Sequence, residues 1–151
     1  LKKNTIIRAH YSSTNKMDHI IEDLNGFKID YSEQNYFDAV NISKLLLFNY
    51  DSTGMLEMLA LNKPILCMWE KGNQHLNNFV VDDYELLREA KILFDDNDKL
   101  YEHLNKIWND PLEWWYSQNV QENVNKFVKL YTKFPDNDFS TNFKNLIKKN
   151  M

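Results

Sequence analysis

The stretch Lys44–Trp69, KLLLFNYDSTGMLEMLALNKPILCMW, leaves few ways to fold. Lys44–Tyr50 is a nearly unbroken apolar run, which suits a strand buried on both faces. Asp51-Ser52-Thr53-Gly54 is a short turn rich in hydroxyls, and Met55–Leu61 carries one charge, Glu57, among Met, Leu and Ala. Asn62-Lys63-Pro64 stops that helix, and Ile65–Trp69 is a second continuous apolar run. Strand, tight turn, short buried helix, strand is a parallel crossover unit, with both strands covered by helices. Such units hold ligands at the carboxyl ends of their strands, where a helix N-terminus presents unbonded N–H groups. Asp51–Gly54 stands at that position.

The rest of the chain repeats the alternation. Thr5–His10 reads as a strand, Lys16–Asn25 as a helix with Gly26 as its C-cap, and Phe27–Tyr31 as a strand by its period of two. Asn35–Ser43 is a short helix leading into the central unit. Leu76–Ala90 places Phe79, Val80, Tyr84, Leu86 and Leu87 on a helix, and Ile92–Phe94 is a short strand closed by Asp95-Asp96. Asp98–Asn109 is amphipathic through Leu100, Leu104, Ile107 and Trp108. Pro111 suits the first turn of a helix running towards Lys133, and Phe139–Lys149 reads as a last helix. Five strands alternating with helices predict an α/β fold: a Rossmann-like, doubly wound parallel sheet of about five strands with C-terminal helices. With no repeat or linker composition, residues 1–151 read as one domain, of which 111–151 form a helical extension.

Charge excludes some functions. Lys and Arg number 18 against 22 Asp and Glu, so no nucleic-acid surface is announced. No apolar run approaches the roughly 20 residues that cross a bilayer, and no signal peptide is visible; the expectation is a cytoplasmic protein. The lone Cys67 falls inside a buried strand and reads as an inert thiol.

Ser52 or Thr53 can cap the central helix, and capping alone accounts for hydroxyls there. Glu57 is different, because it falls four residues after Thr53 and not three, so it does not complete a capping box. With apolar neighbours on every side it reads as an acid in need of a partner: a ligand hydroxyl, or a structural Lys or Arg. Thr53 and Glu57 share a helix face. Arg8, near the end of the first strand, can fork onto phosphate or form an ion pair, and His10 can donate to phosphate or cap the strand. Glu70-Lys71-Gly72 lies where a base or a second phosphate could be met. His19, His75 and His103 show no metal-ligand spacing. Trp108, Trp114, Trp115 and Tyr116 favour packing over carbohydrate stacking, and Asp82-Asp83 and Asp95-Asp96 read as helix-start and turn residues.

D-S-T-G-M-L-E-M-L-A-L-N-K-P-I-L with the aromatic end Met68-Trp69 resembles the donor-binding half of glycosyltransferases built from two Rossmann-like domains, the GT-B architecture. More narrowly, the S-T-x-x-x-E turn followed by I-W-[ND]-D-x-x-x-W-W, here Ile107–Asp110 and Trp114-Trp115, resembles a family of bacterial transferases of surface-carbohydrate and O-antigen synthesis. The likeness runs from about Thr5 to Lys133. It departs after Arg8, where that family continues with a Tyr-Pro pair and this chain has Ala9-His10-Tyr11.

The resemblance implies that Ser52, Thr53 and Gly54 hold the donor diphosphate and that Glu57 holds the ribose, and Arg8 matches an arginine on the family's equivalent strand. It also implies a metal-independent transfer with no cofactor beyond the nucleotide-sugar donor. An N-terminal acceptor-binding domain would supply the catalytic base and any peripheral contact with the inner membrane. On that expectation the chain is the C-terminal part of a larger enzyme acting in surface polysaccharide or lipopolysaccharide synthesis, inactive by itself. The alternatives are a CDP-polyol phosphotransferase of the teichoic-acid type, a non-catalytic scaffold, or a receiver-like signalling domain with Asp51 as its phosphoacceptor.

Overall fold

The structure is a computed structural model that describes residues 2–8, 23–31, 35–72 and 74–131. The chain falls into two compact units, Leu1–Lys44 and Leu45–Met151. The boundary lies between a helix and a strand, where no Pro, Gly or charge-rich linker marks it in the sequence.

In the first unit, β1 (Ile6–Arg8) and β2 (Lys28–Asp30) pair in parallel with Arg8 opposite Asp30. Gly26 turns into β2 with φ +89°, the left-handed conformation expected of a C-cap glycine. Most of the helix expected over Lys16–Asn25 lies outside the described residues. Helix α1 (Tyr36–Ile42) starts where the Asn35 side chain accepts the Phe37 N–H at 2.9 Å, and it buries Val40.

In the second unit, β3 (Leu46–Phe48), β4 (Ile65–Met68) and β5 (Leu93–Phe94) form a parallel sheet in that order. Strand β4 is central, and its Ile65, Leu66 and Cys67 are fully buried, as its continuous apolar run predicts. Leu66 and Met68 pack with Leu100, Leu104, Ile107 and Trp114 on one face, so the alternating Ile65 and Cys67 point to the other. Burial, and secondarily Asp51, pushes the Cys67 thiol far above its ordinary range, so the inert reading holds. The expectation for β3 needs correction, because Leu47 is 56% exposed. As an edge of its sheet, β3 has a neighbouring strand on one side only among the described residues, and one face is open.

Helix α2 (Thr53–Ala60) joins β3 to β4, and α3 (Val81–Glu89), preceded by a 3-10 turn at Asn78–Val80, leads to β5. Both helices end the same way. After α2 the N–H groups of Asn62 and Lys63 bond back to the carbonyls of Leu59 and Met58, with Asn62 at φ +52°. After α3 those of Lys91 and Ile92 bond to Arg88 and Leu87, with Lys91 at φ +56°. These are Schellman closures, which place a residue in the left-handed region just beyond the cap.

Helices α4 (Asn97–Ile107), α5 (Pro111–Trp115) and α6 (Gln118–Tyr131) complete the unit. Asp96 and Asp110 cap the first two, and Pro111 takes the first turn as expected. The single helix expected from Pro111 towards Lys133 is broken at Tyr116-Ser117. Trp115 is wholly buried and its indole N–H donates to Asn62, to the side-chain oxygen at 3.0 Å and the carbonyl at 3.2 Å. Gln121 of α6 bonds the same Asn62 amide in both directions at 3.2 Å. The helix expected over Phe139–Lys149 lies outside the described residues.

Candidate functional site

Strand β3 ends at Phe48, and Ser52 stops the chain from running straight into a helix. Its backbone is extended (φ −149°, ψ 154°), and its hydroxyl oxygen accepts the Met55 N–H at 3.3 Å. Ser52 is therefore the N-cap and Thr53 and Gly54 the first two residues of α2. At those positions a helix has no carbonyl of its own for the backbone N–H groups. The Ser52 hydroxyl accepts one bond and keeps its proton to donate, and the exposed Thr53 side chain adds a second hydroxyl. The three residues thus converge at the positive end of an eight-residue helix, beyond the carboxyl end of β3.

Helix α2 buries Met55, Met58 and Leu59, at spacings of three and four that define one face. Position 57 falls opposite, so Glu57 is exposed; the acid is not enclosed among apolar side chains as its sequence neighbours suggest. Thr53 is exposed on the same side, one turn earlier, so the shared face holds. Among the described residues no Lys or Arg forms a salt bridge with Glu57.

The carboxyl ends of β3 and β4 bring further groups together. The carboxylate of Asp51 lies 3.5 Å from Nε2 of His75. The imidazole of His75 meets the buried Trp69 edge-on at 4.7 Å between centroids, and Trp69 leans on Tyr84 at 5.3 Å. Burial first, then the Asp51 charge and Cys67, push the Tyr84 hydroxyl up to about 12. From Tyr84 the aromatic contacts continue to Phe127 and Tyr131, whose hydroxyl donates to Asp83 at 2.6 Å. The Asp51–His75 contact is not legible from the sequence, since nothing in the spacing marks His75. After Trp69, Gly72 closes a turn at φ +56° with its N–H on the Trp69 carbonyl at 2.7 Å.

Arg8 belongs to the first unit. Its guanidinium holds Asp30 of the neighbouring strand at 2.6 Å, with the carboxylate only 8% exposed, and lies 5.9 Å over the ring of Tyr36. Of its two sequence readings, the ion pair is the one formed. His10 lies outside the described residues. Trp114 and Trp115 serve packing, since Trp115 is buried and Trp114 meets His103 edge-on at 5.0 Å, whereas Tyr116 is 59% exposed. Asp82 and Asp83 occupy the first turn of α3, and Asp95 pairs with Arg88 at 3.1 Å. No group of three or more His, Cys, Asp or Glu among the described residues is arranged to hold a metal ion. No described helix is long and apolar enough to cross a membrane.

Parallel strands joined by helices, with a capped helix start beyond the first strand of the three-stranded sheet, define a Rossmann-like α/β protein. The family model described as LIC12162 family transferase matches residues 1–146, and the chain belongs to that family of transferases. Comparison with curated proteins and with solved structures gives no match.

Proposed function

We propose that this transferase uses a nucleotide-sugar donor, and that the chain carries the donor-binding part of a GT-B-type glycosyltransferase of bacterial surface polysaccharide synthesis. The observation that carries the reading is the start of α2: the Ser52 cap, the N–H groups of Thr53 and Gly54, and Glu57 exposed one turn on without a basic partner among the described residues. A diphosphate suits the positive helix end and its hydroxyls. A ribose diol suits a solvent-facing carboxylate, which accepts two hydroxyl hydrogens at once. The negative charge that grows on the leaving nucleoside diphosphate would meet donors already in position. Membership of a transferase family is the second support.

The test is thermal shift and calorimetry with UDP, GDP, ADP, CDP and their 2′-deoxy forms. One ribonucleotide diphosphate should raise the melting temperature, since a ligand at about 100 times its Kd stabilises the native state by about 2.7 kcal/mol. Glu57→Gln should weaken that ribonucleotide about tenfold or more, in keeping with the loss of charge-assisted hydrogen bonding, and narrow its advantage over the deoxy form. Stabilisation by none of the nucleotides overturns the reading; preference for a CDP-polyol would move the protein to the phosphopolyol transferases.

A further inference from the structure

Along β5 and α4 runs a cavity of about 340 Å³ whose wall carries Arg88, Lys91, Lys99 and Lys106 against two carboxylates, Asp95 and Glu102. Arg88 is already matched by Glu85 at 3.2 Å and Asp95 at 3.1 Å. Among the described residues Lys91, Lys99 and Lys106 make no salt bridge, so three unmatched lysines line the cavity with Glu102 as the remaining anion. We propose that this cavity binds a phosphate-type anion, held chiefly between Lys91, in the turn between α3 and β5, and Lys106 at the end of α4.

Two features set the cavity apart from an ordinary patch of surface lysines. The first is His103, which lines it, is only 7% exposed, and has a buried Nε2 without a hydrogen-bond partner among the described residues. A buried polar atom without a partner is uncommon and calls for an explanation. Burial, then the charges of Lys91 and Lys106, lower the His103 imidazole to about 4. Both ammonium groups are therefore felt at the same ring, and an anion between them would relieve that field. The second is the backbone of Lys91, at φ +56°. Where a helix ends in this left-handed conformation the residue is usually glycine and sometimes asparagine, and a lysine there carries a conformational cost. A strained residue whose side chain reaches a cavity is where a functional role is expected.

The volume suits a phosphorylated small molecule or a single lipid headgroup. The test uses the whole chain, with inorganic phosphate followed through the His103 ring signals by NMR, and separately sedimentation with phosphatidylcholine vesicles with and without phosphatidic acid. Saturable movement of the His103 signals by phosphate is expected. Lys91→Gly and Lys106→Gln should each weaken it about tenfold, as loss of one charge-assisted contact does. Lys91→Gly has a second use: it relaxes the backbone, so its melting temperature should hold or rise while binding falls, which a purely structural lysine would not do. Binding to phosphatidic acid vesicles that Lys91→Gly abolishes identifies a lipid headgroup as the source, and binding to phosphate alone a free phosphorylated molecule. Phosphate that leaves His103 unmoved together with vesicles that do not sediment the protein, or affinity unchanged in both lysine variants, overturns the proposal.

Discussion

Ser52 has two tasks at the start of α2, and they can be separated. Ser52→Ala removes the oxygen that accepts the Met55 N–H and should cost about 1 kcal/mol, read as a lower urea midpoint at unchanged slope. Glu57→Gln, on the exposed face of the same helix, should stay within about 0.5 kcal/mol of the parent by that measure. A clear loss of stability would make Glu57 a structural acid instead. His103 gives a pH signature. Its folded value of about 4 lies below the ordinary 6.5, so the unfolded chain takes up the proton first as pH falls. Its contribution to stability is full above pH 6.5, declines towards about 4, and is flat below that. His103→Leu should remove that decline, which shows as a difference between the stability–pH curves of the two proteins, since other carboxylates titrate in both.

At the scale of elements, the helix α5 and the turn after it were the hardest to read. Its Trp-Trp pair marks a helix that buries aromatics, and the structure agrees for Trp115. The break at Tyr116-Ser117 was hidden because Pro111–Lys133 is helix-compatible throughout. Around the break the contacts are tertiary: the Trp115 indole N–H reaches Asn62 just beyond α2, the Gln121 side chain donates to the Trp115 carbonyl at 2.8 Å, and no local propensity encodes a partner as distant in sequence as Asn62. Trp115→Phe should cost about 1–3 kcal/mol, through lost volume and an emptied bond to Asn62. By contrast, β4 and the two ends of α2 were legible, since an unbroken apolar run and the flanking Ser-Thr and Asn-Lys-Pro signals are local physics. The exposure of Glu57 was legible too, but only by angle: Met55, Met58 and Leu59 fix the buried side, whereas the average apolarity of the helix points the wrong way. Phe79 is another miss of the same kind, 80% exposed on the 3-10 turn before α3.

At the scale of the second unit, Cys67 is a built-in reporter. It lies on the central strand with no exposure, so a thiol reagent reaches it only when the sheet opens. Labelling should be slow in the native protein, and a ligand of the folded state should slow it further by the factor 1 + [L]/Kd. Unchanged labelling under a nucleotide that raises the melting temperature would mean that Cys67 is exposed by a smaller, local motion. Asn62 carries a different consequence. At φ +52° it occupies a backbone position where a glycine swap is the usual route to a sturdier protein, yet its amide is also the knot tying Trp115 and Gln121 to the end of α2. The swap that loosens nothing at Lys91 would here untie three helices at once, so two helix ends of like shape should answer the same substitution in opposite directions.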